Sequence, residues 1–326
     1  MADDTWFGDL CASSTSGPAI PDLAPKVSTF PSIDSLHKAC PGVPRVRDLQ
    51  VALDDGWTRF IRAWGDDIET IFRPLLRVLV WTEELLLVTP WWAVLLLLAA
   101  LVWGLTRSFK ITAAVLATFL MIGVFGMWTE TMQTLSFITV CTMICLILGI
   151  PMGIALSRND RLRSVVIPFL DFLQTMPSFV YLIPVVMLFG IGKVAGAIAV
   201  IAYAIPPVIR LTDLGIRGVD RETIEAAESF GISPLQKLVG VQLPLAMPTI
   251  MAGINQTIMM ALSMVVVASM VAVRGLGMPV LEAIQELRLS KGLFFGLAVV
   301  ALAIVFDRVT KAAINRGRKH LPGRGE

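Results

Sequence analysis

Apolar residues fill most of the chain after residue 90, in runs long enough to cross a membrane. A helix needs about 20 residues to span a hydrocarbon layer about 30 Å thick. We predict seven spans, and their approximate ranges are 91–106, 110–128, 132–156, 166–190, 194–211, 244–272 and 292–310. Before them, residues 48–88 repeat apolar positions at helical intervals among charges, which predicts one or two amphipathic helices. Such helices suit either the membrane interface or packing on the chain's own core.

The composition supports a membrane protein. The 326 residues are 56% hydrophobic and 16% charged, whereas soluble domains carry about 25% charged residues. We therefore predict an all-α integral membrane protein. Cys141 and Cys145 lie four residues apart in an apolar run and are predicted to be small buried side chains. With no C-x-x-C spacing and two distant histidines, no metal site is predicted.

The basic residues predict the orientation. One set of alternating connections, with the C-terminus, holds 15 Lys and Arg, and the opposite connections hold 4. Because basic residues concentrate on the cytoplasmic side, we expect residues 220–244 and the C-terminus inside and the N-terminus outside. Residues 1–90, with 8 Lys and Arg against 13 Asp and Glu, are predicted to be an acidic extension, a disordered tail followed by the amphipathic helices. This extension is expected outside the membrane or at its outer interface. The transmembrane domain is then 91–312, and 313–326 is a basic cytoplasmic tail.

The polar segment 220–244 separates two apolar runs and begins with a helix signal. Asp220 suits the N-cap, and the acidic side chains after it favour the positive end of the helix dipole. Gly231 suits the left-handed position after the last helical residue. The segment is therefore predicted to turn at this glycine and to be exposed between two spans, where it can dock on a partner.

A second helix is predicted directly after the turn. Ser233 and Gln236 have the spacing of a capping box, and Pro234 suits the first helical position. Pro244 is predicted to end this helix.

Polar residues inside apolar runs are candidates for a translocation pathway, because such side chains usually face the interior of a helix bundle. The candidates are Asp171, Asn255, Gln256 and Ser263. No G-x-x-x-x-G-K-[ST] motif occurs, so ATP would have to bind to another subunit. No credible catalytic group of residues is present, which argues against an enzyme.

One spacing within 220–244 resembles a known family. Glu-Ala-Ala at 225–227, three residues, Gly231, nine residues and then Val-Gln-Leu-Pro at 241–244 resemble the EAA loop of bacterial ABC-importer permeases, with valine in place of isoleucine at 241. In that family the loop couples the permease to an ATPase. The resemblance assigns this role to Glu225, Ala226, Ala227, Gly231, Leu243 and Pro244.

The apolar half is also similar to permeases for glycine betaine and proline betaine, over 174–192, 203–216 and 242–273. The resemblance implies a type I ABC-importer fold in the bacterial inner membrane and a homodimer with two ATPase subunits and a periplasmic binding protein. ATP and Mg²⁺ would bind to the ATPase subunits, so this chain would hold no cofactor, and no nucleic acid is expected. The implied substrate is a betaine or a related compound such as choline, carnitine or trimethylamine N-oxide.

Two other transporter classes stay open from the residues alone. One is an ABC permease for another small solute. The other is a secondary transporter driven by an ion gradient, which would favour paired acidic groups at mid-membrane and inverted repeats. Neither feature is clear in this sequence.

Overall fold

The computed structural model describes residues 33, 37, 38, 40 and 44–319, with side chains up to residue 313. Most of the predicted disordered tail and the last seven residues of the predicted basic tail therefore lie outside the described residues. Every regular element in the described part is helical, as predicted from the apolar runs.

The predicted amphipathic region forms one helix, α1 (Val46–Val88). Contacts divide the chain into two compact units, residues 1–68 and 69–326. In the first unit, the rings of Trp57 and Phe60 stack with their centroids 5.3 Å apart. In the second unit, Leu79 of α1 is buried, so this end of the helix contributes to the apolar core.

The remaining helices follow in a single series with short connections. They are α2 (Trp91–Thr106), α3 (Phe109–Val124), α4 (Trp128–Arg158), α5 (Asp160–Thr175), α6 (Ser178–Phe189), α7 (Lys193–Ala204), α8 (Pro206–Arg217), α9 (Arg221–Ser229), α10 (Pro234–Lys237), α11 (Leu243–Ser263), α12 (Val265–Ser269), α13 (Gly277–Gln285) and α14 (Leu289–Lys319).

Fewer straight spans are present in the described residues than the seven predicted. Four helices are long and apolar enough to cross a membrane, or six if two bent pairs each count as one span. The pairs are α1 with α2, bent by 110°, and α5 with α6, bent by 98°. Helix α3, counted as a span in the prediction, has 16 residues and a length of about 24 Å.

Two predicted spans are interrupted. The span predicted at 166–190 breaks where Met176 is extended (φ −67°, ψ 133°) before Pro177. A proline clashes with a helical conformation of the residue before it, so α5 ends there and α6 starts in a new direction. The span predicted at 244–272 ends as a continuous helix at Ser263, and the short α12 follows.

Helix α8 packs along both α4 and α11, and glycines make this close approach possible. A Cβ atom added to Gly153 of α4 would lie 2.5 Å from Cβ of Thr212 and 2.7 Å from the carbonyl oxygen of Ile209. On the α11 side, a Cβ on Gly253 would lie 3.2 Å from Cα of Val208. Small residues let helix backbones approach closely in membrane proteins, and here they hold α8 on two sides.

The largest apolar cluster contains Cys141 and Cys145 of α4. Both cysteines are fully buried and free, which confirms the prediction that they act as small core residues. No group of three or more metal-ligating side chains occurs in the described part of the chain.

The packing of α4 against α8 generates a stability prediction. Gly153→Ala should lower the free energy of unfolding by about 1–3 kcal/mol, because the added methyl group overpacks the contact. Gly296→Ala is the matched control, since its Cβ would meet no atom within 4 Å. Thermal unfolding of the purified protein in detergent measures both variants. Equal melting temperatures for the two variants would contradict the assignment of Gly153 as a close-packing position.

Candidate functional site

The 220–244 segment begins with the predicted capped helix. The side chain of Asp220 accepts a hydrogen bond from the backbone N–H of Glu222 at 3.3 Å, which satisfies one of the free donors at the start of α9. Ile224 points inward against the apolar cluster around Ile216 and Leu238. This inward contact orients the helix and leaves its other side exposed.

The predicted turn at Gly231 is confirmed. Helix α9 ends with Phe230 as its C-cap, and Gly231 has φ +73°. Its N–H donates to the carbonyl oxygen of Glu228 at 2.9 Å. Glycine adopts this left-handed backbone at the lowest cost, which explains why the chain reverses at this residue.

The capping box is also present in full. The backbone N–H of Ser233 donates to the side chain of Gln236 at 2.8 Å, and the N–H of Gln236 donates to the Ser233 hydroxyl at 3.3 Å. Pro234 is the first residue of α10. The residues within the segment therefore determine where its second helix starts.

The prediction that Pro244 ends this helix is wrong. After α10, residues Leu238–Gln242 form a π-helix that continues directly into α11, so the chain is helical from Pro234 to Ser263. Leu243 donates its N–H to the carbonyl oxygen of Leu238, five residues earlier. The wider turn gives the proline ring room beside the preceding turn, where a regular α-helix would be strained.

Contacts at both ends hold the segment to the rest of the protein. Lys237 forms an ion pair with Glu228, which joins α10 to α9. Arg158 at the end of α4 donates to the carbonyl oxygen of Pro234 at 2.9 Å. Leu238 is buried in the cluster below. The helical pair is therefore fixed to α4, α8 and α11, and its position depends on theirs.

Three large apolar side chains of the segment are exposed, and we call them its outer face. Phe230, Leu235 and Val239 are 88%, 65% and 58% exposed. The same segment carries the exposed i, i+4 pair of Arg221 and Glu225 at 3.7 Å. Large apolar side chains exposed together on a segment that also carries charges are typical of a surface that binds another protein.

The other residues of the EAA pattern have different surroundings. Ala226 is exposed, and Ala227 is half-buried. Leu243 and Pro244 are half-buried at the start of α11, and Leu243 packs on the cluster that contains Leu238. The pattern thus combines an exposed helix with residues that attach it to the membrane domain.

Asn255 makes hydrogen bonds between two membrane helices. Its side-chain N–H₂ donates to Asp307 of α14 at 3.0 Å, and its oxygen accepts from the hydroxyl of Thr310. Asp307 is also paired with Lys311 at 2.8 Å. These contacts give Asn255 a partner on α14, and Asp307 is a polar residue that the sequence analysis missed.

The four pathway candidates do not form one cluster. Asp171 of α5 is paired with Arg210 of α8. Gln256 is exposed on α11, next to the half-buried Asn255. The Ser263 hydroxyl donates to the carbonyl oxygen of Met260 at 2.7 Å, at the end of the same helix. No hydrogen bond or ion pair joins any two of the four among the described residues.

The most buried charge in this region is another residue that the sequence analysis missed. Asp213 of α8 is 2% exposed, and its two carboxylate oxygens accept from Arg163 at 2.9 Å and from Arg217 at 2.8 Å. The signal for it was available, because an aspartate four residues before an arginine on an apolar helix forms a stabilising pair. Its second partner, from another helix, could not be deduced from spacing.

A further, half-buried contact joins α1 to the core. Glu83 pairs with Lys193 at the start of α7 and accepts from the side chain of Gln133 at 3.2 Å. In the same area the hydroxyl of Ser136 donates to that of Thr82 at 2.8 Å. These polar contacts fix the end of α1 beside α4 and α7.

The family model for the binding-protein-dependent transport system inner membrane component matches residues 145–319. The match covers more than half of the chain and includes the whole 220–244 segment. The chain belongs to this family. It is a permease subunit, a translocation component of a membrane transport system and not an enzyme.

Two relatives support this assignment over most of the chain. The glycine betaine/proline betaine transport system permease protein ProW of Escherichia coli (strain K12) is 42% identical over 320 residues, which cover 95% of this chain and 86% of ProW. The glycine betaine/carnitine transport permease protein GbuB of Listeria monocytogenes serotype 1/2a is 42% identical over 262 residues, covering 80% of this chain and 92% of GbuB.

The fold also matches a solved transporter. An inward-facing MetNI methionine ABC transporter in its native crystal form aligns with a TM-score of 0.51 and 19% identity, covering 60% of this chain and 95% of that chain. At this identity the likeness concerns the fold alone. With the family match, it confirms the predicted type I ABC-importer permease fold.

Proposed function

We propose that the permease acts as a homodimer with two cytoplasmic ATPase subunits and a periplasmic substrate-binding protein. ATP and Mg²⁺ bind to the ATPase subunits, because this chain has no phosphate-binding motif of its own. The observation that carries the proposal is the outer face of the 220–244 segment. There, exposed apolar side chains stand on a helical pair that is fixed to three membrane helices.

ATP binding moves the ATPase subunits, and the 220–244 segment moves with them. Because the segment joins α8 directly to α11, it passes the displacement to both helices. A small shift at such a site becomes a switch between two packed arrangements, since packed helices are bistable and do not deform continuously. The switch alternates access to a pathway between the two copies of the chain.

The substrate class is a small quaternary-ammonium or methylamine osmolyte, with glycine betaine and proline betaine first. The names of ProW and GbuB support this class. The family resemblance implies that the aromatic box, which would hold the quaternary nitrogen by cation–π contacts, is on the binding protein. The permease therefore receives a substrate that another subunit has already selected.

The proposed orientation has the N-terminus outside and the 220–244 segment with the C-terminus in the cytoplasm of an inner membrane. It rests on the charge distribution and on the need for the segment to meet a cytoplasmic ATPase. It also requires an odd number of crossings, which is met when α3 and both bent pairs each cross once in addition to the four long helices.

The coupling role is tested at Gly231. Gly231→Val forces a β-branched residue into a left-handed backbone, at a cost of about 1–2 kcal/mol. The variant should still insert into the membrane, but it should co-purify less ATPase and lose substrate-stimulated ATP hydrolysis. Gly231→Asn is the control, because asparagine tolerates this backbone.

Glu225→Lys should act like the valine variant through charge reversal at the interface. Normal co-purification with normal stimulated hydrolysis in both the valine and lysine variants would contradict the coupling role.

The substrate class is tested by competition for uptake in proteoliposomes that contain the complete complex. We expect unlabelled proline betaine, choline or trimethylamine N-oxide to reduce the uptake of labelled glycine betaine. If none of them competes and an unrelated amino acid does, the substrate class is wrong although the ABC permease assignment stands. Uptake with an ion gradient and no ATP would instead favour a secondary transporter.

The orientation is tested by labelling single cysteines in a cysteine-free background. Asp55→Cys and Glu222→Cys replace exposed residues of α1 and α9. A membrane-impermeant maleimide added to spheroplasts should label the cysteine at 55 and leave the one at 222 unlabelled until the cells are lysed. The reverse pattern, or equal labelling of both before lysis, would refute the proposed orientation.

A further inference from the structure

Helices α5 and α8 are joined by ion pairs to which each helix contributes both a basic and an acidic side chain. Arg163 of α5 pairs with Asp213 of α8, and Asp171 of α5 pairs with Arg210 of α8. In these two pairs, each helix supplies one arginine and one aspartate. The residues on α5 lie eight positions apart, so the two pairs join α5 to α8 at points about 12 Å apart along its axis.

We call Arg163 with Asp213 the inner pair and Asp171 with Arg210 the outer pair. The inner pair resists separation more strongly than an exposed ion pair. Asp213 is buried, and both of its carboxylate oxygens are occupied by arginine Nε atoms. Moving α5 away from α8 would leave one of these oxygens without its partner in a buried place, which is strongly unfavourable. The two helices are therefore held together by more than apolar contact.

Arg217 extends the same group of contacts to the end of α4. Its Nη2 atom donates to the carbonyl oxygen of Leu156 in α4 at 2.8 Å. The same atom pairs at 2.6 Å with Asp160, the first residue of α5, which makes a third ion pair between α5 and α8. Arg217 is the last residue of α8, and Asp220 caps α9 three residues later. The ionic group therefore lies at the base of the 220–244 segment.

Helix α5 leads in the other direction to the 98° bend before α6. A displacement of the 220–244 segment reaches α8 through the chain itself. Helices α5 and α8 have 30 residues between them in sequence, so the displacement reaches α5 through the contacts between them. These contacts are the ion pairs and the apolar packing of Leu170 on Val208 and Ile209. The path from the segment to the bend thus includes side chains that form no part of the EAA pattern.

We infer that Arg163, Asp171, Arg210 and Asp213 are positioning residues that make α5 and its bend move together with the 220–244 segment during ATP-driven transport. This inference rests on the proposed function. Under this inference, Asp171 does not line the translocation pathway but positions α5. The ion pairs between α5 and α8 then contribute to coupling.

The outer pair allows a charge-exchange test, because both of its side chains are partly exposed. The measured quantity is the amount of glycine betaine taken up per ATP hydrolysed, in proteoliposomes with the ATPase and the binding protein. Asp171→Arg alone and Arg210→Asp alone should each lower this ratio about ten-fold, a typical size for coupling between sites. The double variant, which restores the pair with reversed charges, should recover to within about two-fold of the unmodified complex. ATPase co-purification should stay unchanged throughout.

Several results would overturn the inference. Single variants with an unchanged ratio would do so, as would a double variant no better than the worse single variant. Loss of ATPase co-purification in the single variants would assign the pair to assembly and not to coupling. Arg288→Gln is the matched control, since Arg288 forms an exposed pair with Glu286 outside this group, and its ratio should be unchanged.

Substitutions in the inner pair test the inference independently. Arg163→Gln should lower the uptake ratio about as much as the outer single variants, and Arg163→Lys should recover part of it because the charge is retained. If Arg163→Gln fails to insert, the charge exchange at the outer pair decides alone. Absence of ATP-driven uptake in the unmodified complex would instead refute the proposed function, which separates the two failures.

Discussion

The close contact of α8 with α4 and α11 is the constraint on which the rest of the structure depends. A hydrophobic driving force is nearly absent between helices in lipid, so backbone proximity and van der Waals packing must hold them. Glycines at 149, 153 and 253 provide that proximity. A Cβ atom at 149 or 153 would lie within 2.5 Å of an atom of α8, and one at 253 would lie 3.0 Å from Cβ of Leu211. The 220–244 segment leaves from the end of α8 and returns into α11. Both of its ends are therefore attached to helices that are packed together.

This arrangement explains how a short polar segment can transmit force. The capping interactions of Asp220 and Ser233 and the turn at Gly231 make the segment stiff, and the π-helix continues it into α11 without a flexible joint. The ion pair of Asp213 with Arg163 joins α5 to the same group of helices. In the proposed coupling, a displacement of the outer face would be passed on through this continuous structure of packed helices and buried charges.

Local signals in the sequence predicted the local features well. The capping box and the glycine turn depend on residues a few positions apart, and both occur as predicted. The predicted helix end at Pro244 was wrong, because a proline interrupts a helix only if the preceding turn is too narrow for its ring. Here that turn is a π-helix. Pro177 is a sequence signal for the bend at Met176, but the long apolar run around it favoured the prediction of one continuous span. Asp213 and Asp307 pair with residues 50 and 52 positions away, and such pairs depend on which helices are neighbours.

The central claim is that the 220–244 segment and α5 move as one body within a protomer. Distances between spin labels at Glu222 and Ser164, both exposed, test it by pulsed electron resonance in the complex without nucleotide and with ATP trapped. We expect the distance within one protomer, isolated by labelling a single copy, to change by less than about 2 Å, while the distance between the two copies of Glu222 changes by more than that. A change of about 5 Å or more within the protomer, the size of a shift by one helical turn, would contradict the account.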